Sequence, residues 1–119
     1  MTRRQVLSML DVSGYPGVLD PLADVADVTW MAASQEDLLS NIARFDAFLT
    51  SLTVRTDRQV LDRASRLLAV ATPSTGTDHI DAAYARERGV EIVSLKSDTD
   101  FLRGITATAE LAWALLLAA

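Results

Sequence analysis

With 119 residues, 50% of them hydrophobic and 23% charged, and a formal net charge of −5, the chain has the makeup of one globular domain. It has no cysteine and a single histidine, which excludes disulfides, thiolate metal sites, iron–sulfur clusters and thiol nucleophiles, and leaves no second imidazole for a multi-histidine metal centre. The acidic balance argues against a broad footprint on a nucleic-acid backbone.

The first predicted strand is the apolar run at residues 5–11 (QVLSMLD). A loop containing glycine and proline, residues 12–17 (VSGYPG), leads to a short helix at residues 19–25 (LDPLADV), where Pro21 is tolerable only in the first turn. The second strand is expected at residues 27–32 (DVTWMA). Ser34 can cap the helix after it, which runs to about Ala43, with Glu36 and Asp37 complementing its positive end. Residues 46–51 (DAFLTS) make the third strand. Thr56, with Gln59 three residues later, predicts a capping box ahead of Val60, Leu61 and Ala64. The fourth strand is residues 67–71 (LLAVA). Asp78 and Asp81 then open a helix that Gly89 ends as a left-handed cap, and residues 91–95 (EIVSL) form the fifth strand.

Several of these runs are apolar in succession rather than alternating, as in strands buried on both faces of a parallel sheet. Their starts lie about 20 residues apart, which is room for one crossover helix per step. The pattern predicts an α/β fold: a doubly wound parallel sheet of five strands, for which the flavodoxin-like order 2-1-3-4-5 is suited.

Residues 106–119 (TATAELAWALLLAA) differ from the rest. They are helical in propensity and apolar on nearly every face apart from Glu110. No Gly, Pro or basic last turn stops this helix, so the chain reads as cut in mid-helix. Its apolar run, residues 111–119, is far short of the roughly 20 residues of a membrane span. With no signal-peptide core after Arg3 and Arg4, a cytoplasmic protein is expected.

Ligands of open α/β sheets bind beyond the carboxyl ends of the strands, which selects the loops there for attention. The loop after the fourth strand, residues 73–78 (PSTGTD), is the most informative. Gly76, among small hydroxyl residues, can present backbone N–H groups to an anion at a helix start. It can equally be a tight turn, the glycine supplying a positive φ and Asp78 serving as an N-cap. The glycines Gly14, Gly17, Gly76, Gly89 and Gly104 contain no GxGxxG, and no GxxxxGKS/T occurs, so no dinucleotide or nucleoside triphosphate is expected to bind this chain by itself. Lys96 stands where a phosphorelay receiver keeps its lysine, but the third strand ends in Leu49-Thr50-Ser51 and its Asp46 is at the wrong end. His79, expected in the first turn of a helix beside Asp78, has no nucleophile or ligand cluster to serve and reads as structural. Trp30 and Trp113 read as core residues.

From Asp46 onward the chain resembles the D-isomer-specific 2-hydroxyacid dehydrogenases, which include phosphoglycerate, glyoxylate/hydroxypyruvate and D-lactate dehydrogenases. The likeness rests on residues 46–93, centred on Gly76-Thr77-Asp78-His79-Ile80-Asp81, then a variable loop, then the helix TATAELAWALLLAA. The resemblance implies that residues 1–105 are a flavodoxin-like substrate domain. Residues 106–119 would begin an interdomain helix leading to an NAD-binding domain. The family's catalytic His with its acidic partner, its substrate-clamping Arg and its GxGxxG would all follow residue 119, so no catalytic residue is assigned here.

The family's substrate loop maps, by the same resemblance, onto Thr75 and Gly76, which cradle a carboxylate through backbone, with Ser74 beside them. Ser51 and Thr53 match the loop after the third strand that also borders the substrate. Thr108 and Glu110 match the interdomain helix whose start approaches the nicotinamide. His79 matches a position filled by Asn or His, which is not the catalytic His. The loop at residues 96–104 is longer and more charged than the family's common pattern. The implied ligand is a small 2-hydroxy or 2-keto acid, and the implied cofactor NAD(P), bound only in the full enzyme, which leaves this chain inactive alone. An uncovered helix at residues 106–119 predicts a homodimer or other self-association. The alternative is a free-standing flavodoxin-like binding or scaffold module without catalysis.

Overall fold

Alternating apolar runs and capped polar segments build five parallel strands joined by helical crossovers. In the computed structural model, residues 3–74 and 76–94 are described. The strands are β1 (Arg4–Ser8), β2 (Ala26–Trp30), β3 (Ala47–Leu49), β4 (Ala69–Ala71) and β5 (Glu91–Val93). They form one parallel sheet in the order β2-β1-β3-β4-β5, as expected. Register is set in the centre by Leu7, Phe48 and Val70, which lie side by side on β1, β3 and β4 and are all buried. The strands are shorter than the apolar runs suggest. Past their ends the ladder continues by single bonds, Met9 N–H to the Leu49 carbonyl at 3.0 Å, Thr50 to Ala71 at 2.9 Å and Thr72 to Val93 at 2.9 Å. The side chains beyond β3 and β4 are therefore held in line with the sheet.

The connecting helices are α1 (Asp20–Ala23), α2 (Gln35–Asn41), α3 (Arg58–Arg63) and α4 (Ala82–Glu87). Pro21 does fall in the first turn of α1. Ser34 caps α2, accepting from the Asp37 N–H at 3.3 Å; the helix stops at Asn41 and tightens into a single 3-10 turn, Ile42–Arg44, that buries Ile42. Gly89 ends the α4 region at φ 76, letting the Val90 N–H reach back to the Ala85 carbonyl at 2.8 Å. Leu38, Ile42, Val60, Leu61 and Ala85 pack from these helices against the sheet. Among the described residues no helix is long and apolar enough to cross a membrane.

Four local expectations change. Asp57, not Thr56, caps α3, its Oδ1 accepting from the Val60 N–H at 3.1 Å. Thr56 is instead pinned by its backbone: its N–H donates to the His79 carbonyl at 2.8 Å and its carbonyl accepts from the Asp81 N–H at 2.9 Å, a parallel bridge to the segment before α4. Asp81 alone caps α4, with Asp78 and His79 in the turn before it, so His79 is not in a helical first turn. Trp30 is not core: as the last residue of an edge strand it is 54% exposed, its Nε1 donating to the Leu10 carbonyl at 2.8 Å. Trp113 and the helix expected at residues 106–119 lie outside the described residues.

Asp46 does stand at the amino end of β3, and there it ties three strands together. Its backbone N–H donates to the Gln5 carbonyl at 2.8 Å and its carbonyl accepts from Leu68 at 2.7 Å. The residue is 4% exposed, and its carboxylate accepts from the Gln5 N–H at 2.7 Å and lies 3.2 Å from Arg66 Nη2 and 3.9 Å from Arg4 Nη1. The Gln5 N–H, then Arg66 and Arg4, hold this carboxyl below the usual range against the opposing cost of its burial.

Candidate functional site

Parallel strands that all end at one edge bring the loops after β3 and β4 side by side. After β3, Ser51 and Thr53 fold the chain on itself. Their hydroxyls lie 2.9 Å apart and the Thr53 N–H reaches Ser51 Oγ at 3.3 Å, a serine turn that thrusts Leu52 outward, 69% exposed. After β4, buried Thr72 places its Oγ1 2.8 Å from Ser74 Oγ and 3.2 Å from His79 Nε2, and Ser74 Oγ donates to the Gly76 carbonyl at 2.8 Å.

These loops enclose a hollow of about 390 Å³ lined, among the described residues, by Leu52, Ser74, Gly76, Asp78 and His79. The structure thus brings Ser74 and Gly76 together, while Ser51 and Thr53 support Leu52 rather than line the hollow themselves. Thr75 and Thr108 lie outside the described residues. Gly76 does not have a positive φ, so the tight-turn reading loses its reason; a Cβ there would meet nothing within 4 Å, and the glycine leaves its peptide open to the hollow. The N–H groups of Ser74 and Gly76 have no hydrogen-bond partner among the described residues. The donors belong to the loop and not to a helix end, because α4 begins only at Ala82 behind Asp78 and Asp81.

Sequence reasoning missed Thr72, Leu52 and His79 as parts of this arrangement. Thr72 was legible only as a hydroxyl closing an otherwise apolar run, and His79 only through its distance from Thr72, which no spacing reveals. The imidazole is half-buried; desolvation lowers its pKa below the ordinary histidine value, against the opposing charge of Asp78. At neutral pH it is therefore uncharged.

A second hollow of about 430 Å³ lies between the ends of β1 and β2, lined by Asp11, Val12, Ser13, Leu19 and Trp30. It is larger but mostly apolar, and its carboxylate is tied to the Ser13 N–H at 3.1 Å and Oγ at 2.7 Å. Among the described residues no group of three or more His, Cys, Asp or Glu is placed to hold a metal ion.

The family model described as D-isomer specific 2-hydroxyacid dehydrogenase, catalytic domain, matches residues 12–112. The match starts well upstream of Asp46, where the motifs become legible. A glyoxylate reductase of Thermococcus onnurineus is 42% identical over 85 residues, covering 71% of this chain and 24% of that protein. A glyoxylate reductase of Aeropyrum pernix is 35% identical over 109 residues, covering 88% of this chain and 31% of that protein. The chain spans about a quarter to a third of the length of these curated relatives. Among solved structures, a Thermus thermophilus protein superposes with a TM-score of 0.79 at 31% identity over 96% of this chain and 36% of that one. The D-lactate dehydrogenase of Aquifex aeolicus, complexed with NAD and lactic acid, shares the fold with a TM-score of 0.72 at 17% identity over 95% of this chain and 32% of that one.

Proposed function

The chain belongs to the D-isomer-specific 2-hydroxyacid dehydrogenase family, as part of its catalytic domain, and on that premise we propose that it is the substrate-holding part of an oxidoreductase for small 2-hydroxy and 2-keto acids. Residues 1–105 are its substrate domain and residues 106–119 start the helix toward a second domain. The observation that carries this reading is the pair of N–H groups at Ser74 and Gly76 that no described residue uses. The hydroxyls of Thr72 and Ser74 and the Gly76 carbonyl are already engaged with one another. A carboxylate is an acceptor only, so it matches the backbone donors that this loop leaves over, with the Asp78 carboxylate lining the same hollow as the opposing charge. Glyoxylate, from the relatives' name, is a two-carbon acid small enough for the hollow. The Thr108 contact to a nicotinamide and self-association through residues 106–119 belong to the same proposal.

NAD(P), which the family implies, does not fit the described residues. The first strand-to-helix turn, where doubly wound folds seat a pyrophosphate, leads into a helix of four residues with Asp20 at its start. The Asp20 carboxylate stands 3.2 Å from where a Cβ on Gly17 would lie, and Asp11 opens the same loop. Phosphates are repelled there. These residues hold the acid, and no hydride step is assigned to them.

The test is kinetic. The 119-residue chain alone, given NADH and glyoxylate, is expected to oxidise no NADH. Joined ahead of the remaining part of the Thermococcus onnurineus enzyme, it is expected to turn over. Gly76→Val in that fusion should raise KM about tenfold at unchanged melting temperature, since the new side chain enters open space with no φ strain. Turnover by the chain alone, or an unchanged KM, would overturn the assignment.

A further inference from the structure

Each hydroxyl has one hydrogen, and that constraint gives the contacts around Thr72 a direction. A carbonyl can only accept, so the Ser74 hydrogen is committed to the Gly76 oxygen. The 2.8 Å contact between Ser74 Oγ and Thr72 Oγ1 must then carry the Thr72 hydrogen. With that hydrogen committed, the 3.2 Å contact between Thr72 Oγ1 and His79 Nε2 requires a hydrogen on the imidazole nitrogen. The order is forced: His79 Nε2–H to Thr72, Thr72 to Ser74, Ser74 to the carbonyl of Gly76. Donors chained in one direction polarise one another and stiffen the loop that they cross.

We propose that His79, carrying its proton on Nε2, is a positioning residue that fixes the Gly76 peptide through Thr72 and Ser74 and so holds the loop's N–H groups, which no described residue uses, toward the acid-binding hollow. The purpose assigned to the relay rests on the substrate reading above; the relay itself rests only on the four atoms' distances. Its backbone serves the same end, since the His79 carbonyl accepts from Thr56 N–H and clips the loop to the segment before α3. The groups facing the ring are Asp78 on its own turn, Arg55 and Asp57 from the segment before α3, and Asp81 at the start of α4, which Arg58 approaches at 3.7 Å. Nδ1 makes no hydrogen bond to the described residues. Acid therefore adds its proton at Nδ1 and leaves the relay standing.

His79 is the sole histidine, so its ring nitrogens are unambiguous in a ¹⁵N-labelled chain. Long-range ¹H–¹⁵N correlation through a pH titration should show Nε2 protonated throughout and Nδ1 alone taking up the proton. Thr72→Val, which keeps the shape and removes the hydroxyl, should weaken the response of the Gly76 amide to glyoxylate about fivefold. His79→Phe should do the same, and His79→Gln, which restores a donor near the Nε2 position, should recover most of it. Titration at Nε2, or a ring averaging over both tautomers, overturns the relay whatever glyoxylate does. A relay seen as described, with no response to glyoxylate in the wild-type chain, overturns the substrate reading and with it the positioning role.

Discussion

The two edges of the sheet are built from opposite materials. At the amino edge a buried carboxylate, Asp46, holds β1, β3 and the start of β4 through charged and peptide contacts. At the carboxyl edge the loops after β3 and β4 are held by neutral hydroxyls, an uncharged imidazole and one peptide bridge. The difference separates anchoring from binding. A fixed charge is strong, and at the amino edge it has the Gln5 N–H and two arginines as partners. Neutral groups of one hydrogen each can shape a loop and leave peptide N–H groups over for an anion.

Removing the anchor should have the largest effect. Asp46→Ala orphans the part-buried Gln5 N–H and strands Arg66, and hydrogen bonds to charged groups are worth about 1.5–3 kcal/mol each. A loss of about 2–3 kcal/mol in urea unfolding is expected, against about 0.5–1.5 kcal/mol for Thr72→Val at the other edge. Equal losses would erase the distinction between the edges.

Much of this fold was legible because burial on both faces writes itself into short apolar runs; periodicity does not give the order of the strands, but five of them suit the order found. Ser34, Pro21 and Gly89 punctuate helices by local chemistry alone, and they stand where that chemistry requires. Two misreadings differ in cause. Thr56 looked like a cap until a partner 24 residues on, Ile80, claimed its backbone for a bridge, whereas Trp30 was read as core although the expected order already placed its strand at an edge. The site divides in the same way. Ser74 and Gly76 are contiguous and could be read; the Thr72–His79 contact joins two ends of a loop and exists only once the loop has closed.

The edges should also respond differently to acid. Asp46 has a folded pKa below its unfolded value, so its contribution is complete above about pH 4 and is lost as pH falls through the folded value. His79 is also lowered, but it is a base. The unfolded chain takes up the proton first, so stability is complete above about pH 6.5 and declines as pH falls toward the folded value. Asp46→Asn should flatten the steep limb below pH 4 in urea midpoints against pH, and His79→Gln should flatten only the shallower limb that opens below about pH 6.5. A single limb removed by both variants would mean that one edge governs the acid response.

The smallest effect tests the carboxyl edge against itself. The loop after β3 holds its turn with Ser51 Oγ and Thr53, an exposed pair, whereas the loop after β4 is held by buried Thr72. Water replaces the first kind of contact easily, and surface changes of that sort fall within about 0.5 kcal/mol. Ser51→Ala should therefore leave the unfolding midpoint almost unmoved and loosen only the turn. The readout is local: the Leu52 amide should exchange with solvent faster, while Ser74 and Gly76 amides keep their wild-type shifts. If Ser51→Ala instead moved the Gly76 amide as far as Thr72→Val does, the two loops would be one mechanical unit across the hollow, and the hydroxyls of the loop after β3 would have to be counted with the relay.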